Sequence, residues 1–406
     1  MKTAVQIGAG NIGRGFMGQI FFDSGYRTVF IDIDRELIDA INAQGSYTIE
    51  LVDNSGRVSR TISRISGVWG SSHDEAVRTL AGADIISISV GVSALEKVAV
   101  SLAEGFRLRW ERKNFVPINV LICENLMDAP GFLRGIVKKQ LSPVEERLID
   151  RTVGFVETSI GRMVPGGDQG PNRDSLTVRV EPYCRLPVDR NGFVGEIPDL
   201  KYLETFSPFR YYIQRKLYVH NAGHAVLAYL GFITGKVHIW ESMADRTIRS
   251  IFGYTMDQVA HGLVKENKAD LADIRAHIAD LQERFSNRAL GDTVIRVGRD
   301  PRRKLGPEDR IIGAFRLLHK YHLDTSTIPL IIAAGLLFCP EGDQGGGFIQ
   351  ALIAKEGIEA AARQICGLDD SEAAYLLPRA AAYYRQLKNA PEQALRQVNQ
   401  DLPISR

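Results

Sequence analysis

The sequence predicts an α/β fold: a doubly wound parallel sheet with an antiparallel extension, followed by a mostly α-helical C-terminal domain. Three observations carry this. Unbroken apolar runs at residues 3–7, 27–33, 83–90 and 119–123 alternate with helix-like segments, the pattern of parallel strands buried on both faces. From 175 to 182 and from 184 to 194 apolar and polar residues alternate, with Asp189-Arg190-Asn191-Gly192 as a turn between strands, which reads as the antiparallel part. After about Ser207 the pattern is helical almost throughout.

The elements follow in order. Thr3 to Ile7 closes on glycine and leads into a helical segment from about Ile12 to Ser24. Arg27 to Ile33 is the next strand and Glu36 to Ala43 the next helix. Ala83 to Val90, a helix from about Ala94 to Glu104, and Asn119 to Cys123 continue the alternation. Right-handed crossovers make a doubly wound sheet the simplest topology for such a chain. Residues 166–174 are a loop by composition. Alanine- and leucine-rich helices are expected near 224–232, 311–322, 326–337 and 348–365, with amphipathic helices from about Asp370 to Asn399 completing the domain. A chain of 406 residues exceeds one ordinary core, and the boundary falls within 195–207, giving domains 1–200 and 201–406.

Composition narrows the function. Hydrophobic residues at 45% and charged residues at 24% suit a soluble globular protein. A net charge of +2 without an extended basic run argues against a nucleic-acid partner. No apolar stretch approaches the roughly 20 residues that span a bilayer, so no membrane partner is expected. Cys123, Cys184, Cys339 and Cys366 form no C-x-x-C pair, and no basic segment with an apolar core precedes the first strand. A reducing, cytoplasmic setting is the expectation.

Gly8-Ala9-Gly10-Asn11-Ile12-Gly13 fits G-x-G-x-x-G between a strand and a helix. Gly8 permits the turn, Gly10 lets a pyrophosphate approach the backbone, and Gly13 lets helix and strand pack closely. The free N–H groups of the helix start, from Asn11 and Ile12 onward, face the anion. Asp32 ends the second strand about 20 residues further on, where a carboxylate bonds a ribose 2′-hydroxyl and repels a 2′-phosphate. The cofactor expected of this Rossmann-type domain is therefore NAD. Val90-Gly91 lies where such folds pass the cofactor, or is a plain strand exit.

The segment Lys216-Leu217-Tyr218-Val219-His220-Asn221-Ala222-Gly223-His224 is the most informative. On an α-helix Asn221 and His224 fall at about 140° and 80° from Lys216, in one broad polar sector. A lysine with a lowered pKa can serve as base, and asparagine and histidine can hold a substrate oxygen. The same polar residues could also cap, pair or reach solvent on a core helix. His220 and His224 stand at i and i+4, a zinc-capable spacing, but the glutamate of H-E-x-x-H is absent, so no metal is assigned.

These residues match K-x-x-x-x-N-x-x-H, and the chain resembles the polyol-specific long-chain dehydrogenase/reductase family. The resemblance extends through Gly8 to Phe16, Cys123-Glu124-Asn125, Phe155-Val156-Glu157, Arg162-Met163-Val164-Pro165 and Val297-Gly298-Arg299 to Arg310. It implies metal-independent hydride transfer between mannitol 1-phosphate and fructose 6-phosphate. In that reaction Lys216 exchanges the hydroxyl proton, Asn221 and Asn125 polarise the reacting oxygen, and His224 binds a hydroxyl. It also implies a small-molecule polyol phosphate or ketose phosphate as partner, and monomers are common in the family. Where the family carries an aspartate before the arginine of this motif, this sequence has Gly161, and Glu157 stands four residues upstream as a substitute. Another polyol, a sugar acid or a sugar conjugate stays open as substrate, as does a non-catalytic NAD-binding sensor. For a substrate phosphate, the basic run Arg299 to Arg310 supplies the candidates: Arg299 and Lys304 first, then Arg303 and Arg310.

Overall fold

Residue alternation decides the first unit's architecture. In the computed structural model, which describes residues 1–165 and 176–403, β1 (Thr3–Ile7) sends Val5 and Ile7 to one face and Ala4 to the other. The loop expected at 166–174 lies outside the described residues. The remaining strands are β2 (Arg27–Asp32), β3 (Ser46–Asp53), β4 (Gly56–Ser63), β5 (Ile65–Trp69), β6 (Ile85–Ile88), β7 (Ile118–Ile122), β8 (Val153–Glu157), β9 (Val178–Val180), β10 (Leu186–Asp189) and β11 (Leu203–Phe206). Six form one parallel sheet in the order β5-β2-β1-β6-β7-β8. Numbered within that sheet, the order is 3-2-1-4-5-6, the dinucleotide-binding arrangement whose direction reverses between β1 and β6.

Both faces of the sheet are covered. Val5, Ile86, Ile88 and Val120 pack with Leu102 and Phe106 of the helix Leu95–Glu111 and with Leu133 of Ala129–Lys138. Ala4, Ile85, Leu121 and Val156 pack with Phe16, Ile20 and Phe21 of the segment after β1. Each buried Val, Leu, Ile or Phe among them contributes roughly 1.5–3 kcal/mol, and double-sided burial is why these strands are continuous apolar runs.

Most of the antiparallel pairing lies elsewhere than expected. It is the β3–β4 hairpin, Ser46 to Ser63 in register through Asp53 and Gly56, whose turn is fixed by Asp53 accepting from the Ser55 and Gly56 amides. Of the segments chosen from alternation, β9 pairs with β3 and β10 with β11 in parallel, while β10 also makes one antiparallel bridge, Val188 to Thr158 beyond the end of β8. Alternation reports one buried face, and that holds for parallel strands at the sheet's margin too.

The compact units are Met1–Phe209 and Arg210–Arg406. Among its described residues the second is built of helices. Ala222–Ile233 and Ile328–Leu337 are buried on nearly every side, which accounts for their continuous apolar sequence. The run expected at 348–365 is two helices, Gln344–Glu356 and Ile358–Cys366, separated by Gly357 at φ +85°, a conformation that favours glycine. Among the described residues no helix is long and apolar enough to cross a membrane.

Candidate active site

The glycine turn sits at the sheet's switch point. Gly8 has φ +93°, and a Cβ there would meet the Ser89 carbonyl oxygen at 2.3 Å. A Cβ on Gly13 would lie 1.9 Å from the Gly8 carbonyl oxygen, so helix and strand can meet this closely only at a glycine. Around Gly10 nothing lies within 4 Å of such a Cβ, leaving open space for a phosphate group. The helix begins beside it, Arg14 N donating to the Gly10 carbonyl, with Asn11 exposed and Ile12 half-buried. Asp32 accepts from Ala9 N at 2.6 Å and from Asp34 N at 3.0 Å, which fixes the carboxylate at the end of β2. A cavity of about 500 Å³ opens here, lined by Gly8, Gly10, Asp32, Ile33, Val90 and Lys97 among others. Its volume, carboxylate and bare glycine backbone fit a dinucleotide.

Val90 and Gly91 have an anchor the sequence did not reveal. The carboxylate of Glu124 accepts from both amides, at 2.7 and 3.0 Å, tying the loop after β6 to the loop after β7. Asn125 follows, exposed on that second loop. Glu157 ends β8, and burial, with Asp128 and Asp189 nearby, pushes its carboxyl up to about 7. At Gly161 an added Cβ would touch the Tyr183 ring at 3.4 Å, so an aromatic side chain borders the position of the missing carboxylate.

In the second unit Lys216–Asn221 is a π-helical turn inserted between the α-helices Arg210–Arg215 and Ala222–Ile233. This corrects the helical-wheel reading. A turn closed by i→i+5 bonds holds one residue more than an α turn, so Lys216 and Asn221 stand about one turn apart, close to one face. His224, three residues further, falls near that face. Lys216, Asn221 and His224 are all half-buried. The Asn221 carbonyl accepts from Arg310 Nη1 at 3.4 Å, a side-chain donor brought in from the helix Arg310–Lys320.

His224 and His220 share Phe285. The His224 ring stacks on it at 4.7 Å, and His220 meets it edge-on at 5.7 Å. Burial holds His220 well below the ordinary histidine range, with Arg284, His224, His277 and Lys216 adding to the effect, so His220 is a neutral packing residue. His224 also lies below its ordinary value through burial, while Asp292 opposes the shift. Asp292, 3.3 Å from Nε2 of His224, was not singled out in the sequence, because 68 positions of chain separate a pair that only folding brings together. Among the described residues no group of three or more His, Cys, Asp or Glu gathers as a metal cage.

The basic run divides. Lys304 is buried, and its ammonium donates to the carbonyls of Val297 and Arg299, the latter at 2.6 Å. Burial, with Arg310 and Arg303 beside it, brings its pKa down to about 7. Two of the three N–H donors of Lys304, expected to meet a phosphate, thus close the end of the helix Val294–Gly298. Arg310 pairs with Asp309 at 2.8 Å and serves the π turn. Arg303 pairs with Asp300 and Asp309 on the surface, and Arg299 is exposed. Arg302, within the same basic run, lies over the Phe348 ring at 3.9 Å beside a recess of about 340 Å³.

Strand order, glycine cradle and fixed carboxylate together define a protein of the NAD-dependent dehydrogenase class. Residues 2–202 match the family model of the mannitol dehydrogenase Rossmann domain, and residues 209–399 that of the mannitol dehydrogenase C-terminal domain. The chain belongs to the mannitol dehydrogenase family. Among solved structures it is similar to Pseudomonas fluorescens mannitol 2-dehydrogenase, determined as a ternary complex with NAD and D-mannitol: 16% identity, TM-score 0.80, 99% of this chain and 95% of that one. A D-sorbitol dehydrogenase in substrate-free form matches at 16% identity and TM-score 0.78, over 97% of this chain and 94% of that one. At such identities the likeness is one of fold.

Proposed function

We propose that this chain is a mannitol-1-phosphate 5-dehydrogenase: it interconverts mannitol 1-phosphate and fructose 6-phosphate with NAD, Lys216 serving as general acid and base. The observation that carries the reading is the π turn, which gathers Lys216, Asn221 and His224 near one face of one helix. NAD, held by Gly8, Gly10, Asn11, Ile12, Gly13 and Asp32, supplies the hydride acceptor in oxidation and the donor in reduction. In its uncharged form Lys216 accepts the proton of the reacting hydroxyl, and it returns that proton in the reverse direction. The Asn221 amide donates a hydrogen bond to the oxygen on which charge develops. His224 holds a neighbouring hydroxyl, and Arg299 and Arg303 are the cations assigned to the phosphate.

A second reading, an unphosphorylated polyol in the same mechanism, draws support from Lys304, two of whose three N–H donors already serve backbone carbonyls. Following NADH absorbance with fructose 6-phosphate, fructose and a panel of ketoses and keto acids separates the two. Fructose 6-phosphate is expected to be reduced best; turnover of fructose alone would replace the first reading by the second. Lys216→Ala is expected to lower kcat by on the order of 10²–10⁴ with NAD affinity nearly unchanged, and chelators should leave the wild-type rate as it is. Retained turnover in that variant would remove the lysine mechanism.

A further inference from the structure

The two ring nitrogens of His224 have different surroundings. Nε2 is buried and stands 3.3 Å from Oδ2 of Asp292, within ion-pair reach and not aligned as a linear hydrogen bond. Among the described residues nothing hydrogen-bonds the other nitrogen, Nδ1. Asp292 is 5% exposed and is itself fixed, its two oxygens accepting from Arg296 Nε and Nη2 at 2.6 Å each. Phe285 stacks on the imidazole at an interplanar angle of 24°, which sets the plane of the ring. Plane, facing nitrogen and carboxylate are thus held by separate contacts. A carboxylate stabilises a proton on the imidazole nitrogen that faces it, and the other nitrogen then carries the lone pair.

We propose that Asp292 is a positioning residue: it keeps the His224 proton on Nε2 and presents Nδ1 to the substrate as a hydrogen-bond acceptor. The inference rests on His224 being a substrate contact and deepens that reading. An acceptor nitrogen takes a hydroxyl. It has nothing to offer a carboxylate or a phosphate oxygen, so this position reads a substrate hydroxyl and not an anionic group. Around the ring the charged and titratable neighbours are Asp292, Arg296 from the helix Val294–Gly298, Lys304 from Pro301–Lys304, and His220 from its own helical segment. Burial outweighs Asp292 and keeps the ring below the usual histidine range, so at neutral pH it is uncharged and has one donor and one acceptor.

The test is ¹⁵N NMR of the full chain labelled at histidine, with the His224 signals assigned by their loss in His224→Gln. The wild type is expected to show the proton on Nε2 and an unprotonated Nδ1. Asp292→Ala should shift that balance towards the other tautomer and lower kcat/KM on the order of tenfold to hundredfold, with NAD affinity retained. A wild-type ring protonated on Nδ1, or on both nitrogens at pH 7, overturns the proposal, whether or not Asp292→Ala folds. An unshifted tautomer in a folded Asp292→Ala overturns it as well. If the tautomer is as expected and no polyol or ketose is turned over, the positioning role stands and the proposed reaction falls.

Discussion

Gly10 and Gly13, three residues apart in one turn, place opposite demands on a substitution. A Cβ at position 13 collides with the Gly8 carbonyl at 1.9 Å, whereas one at position 10 enters open space. Gly13→Ala should therefore cost stability, about 1–3 kcal/mol for an overpacked site, read as a lower Tm. Gly10→Ala should leave Tm in place and weaken NAD binding at least tenfold, because the methyl group occupies the approach to the phosphates. A titration showing intact NAD affinity in Gly10→Ala would remove the cradle assignment. The spacing of the glycines was legible, since a tight turn between strand and helix is a local requirement. Glu124 was not: its carboxylate serves amides 34 and 33 positions away, and no local pattern encodes that contact.

Among the described residues two π turns, Gly13–Met17 and Lys216–Asn221, stand in the helices that hold the candidate site residues, and each has a carbonyl served from outside. Tyr47 Oη donates to the Arg14 carbonyl within Gly13–Met17 at 2.6 Å, and Arg310 Nη1 donates to the Asn221 carbonyl. Close packing accompanies both. A Cβ on Gly18 would strike Tyr47 Oη at 2.2 Å, and one on Gly313 would meet the Tyr218 ring at 2.5 Å. Arg310→Met should thus loosen the turn that sets Lys216 and Asn221 near one face, lowering kcat about tenfold while far-UV circular dichroism stays unchanged. If Arg310 acts on the turn, phosphorylated and unphosphorylated substrates lose rate alike; a loss confined to the phosphorylated one would make it a phosphate ligand instead. A uniform α-helix placed Asn221 about 140° from Lys216. That angle was wrong because the extra residue depends on donors and glycines from other parts of the chain.

At the scale of the molecule, the first unit holds the whole glycine turn, the 500 Å³ cavity and cores on both faces of its sheet. Residues 1–209 expressed alone should fold cooperatively and bind NAD, without turning over any polyol; a fragment that folds but does not bind NAD in calorimetry would place essential cofactor contacts outside it. What the sequence determined by itself were four of the six parallel strands, β1, β2, β6 and β7, and the glycine turn between the first strand and its helix. Each is written in a local period or spacing, and two-sided burial or a tight turn leaves few residue types to choose from. Tertiary structure alone decided which strands run antiparallel, that Lys304 is internal, that Lys216 opens a π turn, and that Asp292 stands behind His224. Those outcomes rest on contacts between residues far apart in the chain, whose energies exist only once packing has brought the groups together.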